Sequence, residues 1–581
     1  MTAPARSEVR GARRGPALLL PGRLLLVTVL LAGAALALVA RAAQLQIGQS
    51  DFLRAQGDAR NLRVEPLAAT RGLILDRNGQ ALAVSTPVVS IWANPPQLLA
   101  AREKWKALAR KAGVDYEDMK DRILRAQSRE FLYVRRHLAP DQAQAILALN
   151  VPGVYGMTEY RRFYPAGEVA AHVVGFTNID DAGQEGMELA WESRLGAHVG
   201  KRKVIKDLNG RVVDDVEIVE DARPGGDLAL SIDLRIQYLA YRELAAAVRQ
   251  QRASGGSVVV LDVETGEVLA MANQPSYNPN NRADTRTSWL RNRAVTDMFE
   301  PGSTMKTFTV AAALESGKFR PGSLIETSPG KLRVGDKVIS DHHDYGLIDI
   351  TTVLTKSSNI GSTKLALAME PQQLVSMFHR VGFGVATHTG FPGESTGSLV
   401  ERKKYRPIEL ATLSYGYGVS VTALQLAQSY AVIASGGMFR PVTLLRRADG
   451  ETVPGERVMS AQLARTVTGM LSTVTTDSGT AARARINGYS VAGKTGTVHK
   501  LTGSGYAENE YLSLFAGMAP ASAPRVVTVV VIDNPGGTDY FGGLVAAPVF
   551  SAITAGALRT LNVSPDAVTA VAAAPAAGGV L

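Results

Sequence analysis

The sequence predicts an α+β protein tied to a membrane. A β-rich domain comes first, and a larger domain follows whose antiparallel sheet is assembled from both of its chain ends, with a helical layer beside it. Three observations predict this. An apolar run, Leu24 to Ala40, lies near the N-terminus behind a cluster of arginines. Strand-like segments open and close the region beyond residue 223, with helical stretches between them. A composition of 46% hydrophobic and 20% charged residues is that of a chain that folds. At 581 residues the chain exceeds a single core, and a prior of about 150 residues per domain gives three or four units.

The first element is the apolar run, broken only by Thr28 and Gly33 and extendable past Arg41 through Ala42 and Ala43. It is long enough to cross a bilayer as a helix, with Arg23 and Arg41 able to snorkel at its ends. A cleaved leader is the rival reading. The run is longer than a usual leader core, and Arg41-Ala42-Ala43-Gln44 is a poor small-residue cleavage site, so an uncleaved anchor is expected. Arg6, Arg10, Arg13, Arg14 and Arg23 against Glu8 place the N-terminus in the cytoplasm and the bulk of the chain outside. The formal charge of +10 has no Lys/Arg cluster elsewhere and no aromatic-studded basic strip, which argues against nucleic acid. With no cysteine, the chain can have neither disulfides nor thiol catalysis.

After the anchor, Gln44 to Arg63 reads as a polar, mostly helical stalk. Asn78-Gly79, between apolar alternating segments within Arg71 to Leu82, signals a hairpin because both positions tolerate positive φ. Pro96 to Leu149 is richer in helix formers, with Gly113 and Ala139-Pro140 as breakers. Strand-like, Gly-rich sequence returns from Val154 to Val219, and Arg223-Pro224-Gly225-Gly226 reads as a boundary. Beyond it, Leu228 to Ile232 and Ser257 to Val263 read as strands. Glu264 to Glu267 turns the second into Val268 to Ala272. Tyr489 to Val498, Tyr511 to Ala519 and Arg525 to Ile532 form a last β block, and a helix is expected to start near Pro548, a favoured first position. The Ala/Pro/Val/Gly tail from Ser564 lacks the composition to fold.

Three short motifs carry the chemistry. Ser303-Thr304-Met305-Lys306 places Ser and Lys at i and i+3 on one helix face, and a hydroxyl nucleophile needs such an adjacent base. The helix opened by Glu300-Pro301-Gly302 should run to Gly317, leaving Ser303 at its N-terminus, where free N–H groups favour negative charge. On that motif alone a plain N-cap is the favoured reading of Ser303. Ser357-Ser358-Asn359 falls on a loop, where either serine could cap a helix. Lys494-Thr495-Gly496-Thr497 lies on a segment with strand alternation, where Gly493 and Gly496 bare the backbone for an added extended peptide. Lys494 offers a second cation to lower the Lys306 pKa, and the Ser303 and Thr497 N–H groups could form an oxyanion hole. The ordered triplet is the serine acyl-transfer signature. Asp341-His342-His343-Asp344 lacks metal-ligand spacing, and Gly382-Phe383-Gly384 and Gly416-Tyr417-Gly418 read as turns or close-packing positions rather than a dinucleotide loop.

These motifs, with Arg291 to Ser303, Ser414 to Val419, Leu424 to Ala427 and Asp539-Tyr540-Phe541-Gly542-Gly543, resemble a class B penicillin-binding protein of the division-specific branch. Arg71-Gly72 through Asp76-Arg77-Asn78-Gly79 resembles that family's non-catalytic pedestal. The resemblance implies a β-lactamase-like transpeptidase domain over 223–563 and a pedestal over 44–222. Before these stand an anchor over 24–43 and a basic tail over 1–23, and a tail over 564–581 follows. It implies that Ser303 attacks the D-Ala-D-Ala amide of a peptidoglycan stem peptide, Lys306 takes its proton, and Ser357 relays a proton to the leaving amine. Lys494, Thr495, Gly496 and Thr497 would then bind the donor carboxylate or a β-lactam, Asn359 the substrate amide, and Tyr540 with Phe541 would wall the site. No cofactor or metal is implied. The implied partners are a SEDS-family glycan polymerase and other division proteins, at the cell inner membrane with the catalytic domain periplasmic. A D,D-carboxypeptidase or β-lactamase is disfavoured by the long pedestal. A signalling β-lactam receptor is disfavoured by the short tail before Leu24, and an idle scaffold by the intact motif set.

Overall fold

The computed structural model describes residues 21–52, 62–206, 212–502 and 505–567. The arginines of the basic tail other than Arg23 lie outside these residues. Helix α1, Pro21–Ala43, is exposed along its length, with Leu24 at 62% and Leu36 at 74%. The helix is long and apolar enough to cross a membrane. Arg41 Nη1 donates to Gln44 Oε1 at 2.8 Å where the helix passes into a π-turn, Gln44–Gly48. The expected helical stalk holds only in this first part. Residues 53–61 lie outside the described residues, and Leu62–Leu67 is strand β1, so the stalk does not reach Arg63 as helix. The segment Leu62-Arg63-Val64-Glu65 alternates, and β1 pairs antiparallel with a partner strand over residues 200–205.

The pedestal sheet is built on the expected hairpin. Strand β2, Ile74–Leu75, turns through Asn78-Gly79 into β3, Ala81–Ala93, with Gly79 at φ 81°. Asp76 fastens the turn by accepting from the Asn78 and Gln80 N–H groups, each at 2.8 Å. The helix-rich stretch contains Trp105–Ala112, which stops at left-handed Gly113, and Tyr116–Arg125. It also contains a strand the composition hid. Leu132–Leu138, β4, pairs with β3 because Val134 and Leu138 can face a core of Ile91, Leu98, Leu108 and Ile123. Pro140 opens the helix Pro140–Leu147 as well as ending β4. Strand β5, Val154–Phe163, pairs with β3 from Val84 to Ala93.

At Arg223–Gly226 the two parts of the chain are packed tightly. A Cβ on Gly225 would lie 1.9 Å from the Leu195 carbonyl oxygen, and one on Gly72 2.2 Å from that of Gly226. Leu228–Ala229 then pairs parallel with β2. Beneath this junction Glu188, wholly buried, accepts from Arg71 Nε and Arg162 Nε, each at 2.6 Å. One carboxylate thus holds two buried guanidiniums from different strand regions.

The larger domain carries the expected sheet from both chain ends. Strands β6 (Gly255–Asp262) and β7 (Val268–Gln274) come from its start, and β8 (Ala492–Thr502), β9 (Gly505–Ala519) and β10 (Val526–Asp533) from its end. The spatial order is β7-β6-β10-β9-β8, antiparallel throughout, which leaves β8 at one edge. Val258 through Leu261 are all wholly buried, so both sheet faces are covered. Helices α2, Leu234–Gln250, and α5, Gly542–Thr560, cover one face. Helix α4, Ala423–Ala434, covers the other, while α3, Lys306–Glu315, lies among the remaining helices.

Two expectations about the chain end need correction. Helix α5 starts at Gly542, not near Pro548, which lies inside it. Proline removes the N–H that would bond the Leu544 carbonyl, and Arg483 Nη1 donates to that oxygen instead, at 3.4 Å. Gly542 fits the start because a Cβ there would meet the Leu514 and Gly496 carbonyl oxygens at 2.3 and 2.4 Å. The tail is also ordered for a few residues past Ser564. Asp566 accepts from the Ser490 N–H at 2.7 Å and from the Ser522 hydroxyl at 2.6 Å, and residues 568–581 lie outside the described residues.

Removing Glu188 leaves buried Arg162 without a counter-charge and Arg71 with Glu192 alone, at 2.7 Å. Glu188→Ala is expected to destabilise the fold by about 3–5 kcal/mol. Urea unfolding of the detergent-solubilised protein checks this, and an unchanged midpoint would show that the cluster contributes nothing.

Candidate active site

A 3₁₀ turn, Gly302–Met305, leads into α3 and holds Ser303 half-buried against the edge strand β8. The turn can approach because two glycines leave room. Gly302 has φ 55°, and a Cβ on it would lie 2.4 Å from Val498 Cγ2, while one on Gly416 (φ 88°) would lie 2.2 Å from the Gly302 carbonyl oxygen. The close-packing reading of Gly416 therefore holds. The Ser303 side chain caps nothing and makes no hydrogen bond among the described residues. One helical turn on, Lys306 is wholly buried. Its Nζ donates to the Ser357 carbonyl at 2.5 Å and to Asn359 Oδ1 at 2.7 Å, and stands 3.2 Å from Ser357 Oγ. The first two motifs, separated by some fifty residues in sequence, are thus joined at one ammonium.

The middle motif sits between helices Ile350–Thr355 and Asn359–Ala368. Its two serines divide the work. Ser358 is the N-cap, accepting from the Gly361 N–H at 2.9 Å, whereas Ser357 has φ 59° and aims its carbonyl at Lys306. Asn359 gives Oδ1 to Lys306, and its Nδ2 donates to the Ser340 carbonyl at 3.0 Å. Asp341, set aside in the sequence as part of a bland acidic-histidine run, holds the motif in place. Its carboxylate accepts from the Ser358 hydroxyl and from the backbone N–H groups of Asn359 and Ile360. No local signal marks Asp341, since the loop it holds lies 17 to 19 residues away.

Lys494 is also wholly buried, its Nζ donating to the Thr495 carbonyl at 3.2 Å and standing 3.3 Å from Thr495 Oγ1. Thr497 Oγ1 accepts from the Gly542 N–H at 3.0 Å, which leaves its own proton free to point into the cleft. The glycines of this strand serve packing rather than bareness. A Cβ on Gly493 would lie 2.6 Å from Phe515 Cζ, and one on Gly496 3.1 Å from the Pro301 carbonyl oxygen. Tyr540 stacks between Tyr511 at 4.2 Å and Phe541 at 4.5 Å, and His342 meets Phe541 edge-on at 5.8 Å. These rings make a partly exposed wall.

Burial sets the electrostatics. It lowers the Lys306 pKa to about 7, against the opposing pull of the Asp341 carboxylate. Lys494 is held well below the ordinary lysine range, first by burial and then by the Lys306 charge. Of the two causes the sequence allows for a lowered Lys306 pKa, burial or a second cation, burial is the one that acts, and the charge effect between the lysines falls on Lys494. A neutral Lys306 amine has two N–H donors, which the Ser357 and Asn359 oxygens satisfy, and one lone pair to accept a proton. The site therefore sets a hydroxyl one helical turn from a buried amine, with a second buried amine near enough to feel its charge.

Known proteins match this arrangement along nearly the whole chain. Residues 256–555 match the penicillin binding protein transpeptidase domain, and residues 66–230 the penicillin-binding protein dimerisation domain. The peptidoglycan D,D-transpeptidase FtsI of Escherichia coli K12 is 45% identical over 92% of this chain and 90% of its own. The probable peptidoglycan D,D-transpeptidase PbpC of Pseudomonas aeruginosa is 43% identical over 94% and 96%. Among solved structures, penicillin-binding protein 3 of Mycobacterium tuberculosis, complexed with aztreonam, is 28% identical with a TM-score of 0.67 and covers 87% of this chain and 98% of its own. The chain belongs to the penicillin-binding protein family, with that family's dimerisation domain standing ahead of its transpeptidase domain.

Proposed function

We propose that this penicillin-binding protein is a peptidoglycan D,D-transpeptidase that crosslinks stem peptides of the septal wall through an acyl-serine. The observation that carries the reading is the buried Lys306, one helical turn from Ser303 and held by carbonyl-type oxygens rather than by a carboxylate. Ser303 Oγ attacks the carbonyl of the D-Ala-D-Ala amide while neutral Lys306 takes its proton. The Ser303 and Thr497 N–H groups stabilise the oxyanion. Ser357 Oγ, 3.2 Å from Lys306 Nζ, passes a proton to the departing D-alanine amine. An amine from a neighbouring stem then attacks the ester, releases Ser303 and leaves a crosslink. Lys494, Thr495 and Thr497 bind the donor carboxylate or that of a β-lactam, with Gly496 keeping the strand close to Pro301. Asn359 positions Lys306, and contacts a substrate amide only by giving up Ser340. Tyr540 and Phe541 wall the cleft.

The reading extends to the whole chain. A cytoplasmic tail over 1–23 and an inner-membrane anchor over 24–43 precede a periplasmic pedestal over 44–222, a catalytic domain over 223–563 and a tail over 564–581. The fully exposed α1 supports the anchor. A SEDS-family glycan polymerase and other division proteins are the proposed partners, on family resemblance.

Three results test the chemistry. Mass spectrometry of the penicillin-labelled chain should find one adduct, on Ser303. Ser303→Ala should be unlabelled yet as stable as wild type to within about 0.5 kcal/mol, since the lost hydroxyl makes no hydrogen bond; an adduct elsewhere would remove the central assignment. Lys306→Arg keeps a cation that cannot deprotonate, so acylation by a fluorescent penicillin should fall by roughly 10²–10⁴-fold. Lys494→Arg should retain a measurable rate with weaker binding, and the reverse pattern would mean the two lysine roles are exchanged. Asp341→Asn removes the charge that raises the Lys306 pKa, so the rising limb of acylation against pH should move from about 7 to lower pH. Its plateau should drop because the Ser358–Ile360 loop loses its tether, and a limb shifted to higher pH would contradict the sign.

A further inference from the structure

One group beside the nucleophile turn has no part in the chemistry above. Glu300, three residues ahead of Ser303, is only 7% exposed. Its Oε1 accepts from the Gly418 N–H at 2.7 Å and from the Tyr506 hydroxyl at 3.1 Å, but its buried Oε2 has no partner. A cavity of about 320 Å³ adjoins it, lined also by Met298, Phe299, His499, Leu501 and Leu512. The cations on this cavity are already paired: Arg293 with Asp297 at 3.2 Å and Lys500 with Asp533 at 2.8 Å. Glu300 is left as a buried carboxylate with no cation on it among the described residues. Such a group is costly unless a donor completes it, and a positively charged donor completes it best.

The register of β8 says what could arrive there. Successive residues of a strand alternate faces, so Thr495, Thr497 and His499 share one. A donor peptide running along this edge has its terminal carboxylate at Thr495 and its scissile carbonyl at the Thr497 N–H. At about 3.3 Å per residue, the next residue upstream comes level with Val498, and a long side chain on it extends on toward His499, a residue of the cavity wall. A stem able to serve as acceptor must carry an amine, and a donor of the same composition carries it too, protonated, upstream of the scissile bond. Resting on the transpeptidase reading, we propose that Glu300 and this cavity receive the side-chain ammonium of the donor stem's diamino residue. Glu300 is then a specificity residue: it selects donors whose amine is free.

The test is the ratio of kcat/KM for D-alanine release by the full-length, detergent-solubilised protein from two synthetic stem pentapeptides. They are identical except that the side-chain amine of the diamino residue is free in one and acetylated in the other. A ratio cancels any general loss from a loosened turn. Wild type should favour the free amine by about tenfold, the scale of one charge-assisted hydrogen bond. Glu300→Gln should bring the ratio to about one, and Glu300→Asp, which keeps the charge, should preserve part of it. A wild-type ratio near one, or a ratio unmoved by Glu300→Gln, overturns the inference. If penicillin still labels Ser303 in that case, the transpeptidase reading stands without it. A wild-type protein that neither releases D-alanine nor takes up penicillin overturns both.

Discussion

Two lysine side chains, Lys306 and Lys494, are withdrawn from water within one site, and among the described residues no carboxylate pairs directly with either. In a structural core this would be a fault, because a buried ammonium without a counter-charge strongly favours giving up its proton. Here the surroundings suit the neutral amine. The Ser357 carbonyl and Asn359 Oδ1 take two N–H bonds from Lys306, and Asp341 stays outside ion-pair reach while holding the loop that supplies them. The catalytic domain must keep water away from these two side chains and keep two carbonyl-type oxygens aimed at one of them. A sheet with helices on both faces does the first, and the Ser357–Asn359 loop does the second.

Close approach is the other constraint, and glycine is how the sequence meets it. Gly416 lets its loop touch the Gly302 backbone, Gly302 lets the nucleophile turn touch Val498, and Gly496 brings β8 against Pro301. Gly542 then sets the start of α5 against the Gly496 carbonyl. These contacts link the nucleophile turn, the substrate strand and the closing helix in one series. A methyl group at Gly302, Gly416 or Gly542 would clash at 2.2–2.4 Å and push one wall of the cleft back, whereas at Gly496 its neighbours at 3.0–3.1 Å need give only a little.

Much of this was legible in the residues, for identifiable reasons. The sheet from both chain ends could be read because Val258 to Leu261 and Val526 to Ile532 are apolar runs flanked by turns. The Asn78-Gly79 hairpin could be read because its turn chemistry is local. The motif serines and lysines were legible as types at spacings. What stayed hidden depends on contacts distant in sequence. Leu132–Leu138 looked helical by composition and becomes a strand by pairing with β3. Pro548 looked like a helix start, and it lies inside α5 because Arg483 takes the carbonyl it frees. Asp341 and Glu300 were unremarkable acids until the fold placed one under the Ser357–Asn359 loop and sealed the other beneath the nucleophile turn.

The middle motif shows most clearly what the fold adds. From sequence, Ser357 and Ser358 are interchangeable candidates for a cap. The helix beginning at Asn359 can use only one of them, and Ser358, in extended geometry, takes the Gly361 N–H and donates to Asp341. That fixes the residue before it. Ser357 is driven to positive φ, a conformation costing a non-glycine residue about 1–2 kcal/mol. The strain turns its carbonyl inward onto Lys306, while its hydroxyl remains on the same side of the chain, 3.2 Å from the amine. A serine in ordinary strand or helix geometry would present only one of these two groups. The capping serine therefore leaves its neighbour's carbonyl and hydroxyl on Lys306, and the order of the two residues, rather than their identity, decides which one faces that amine.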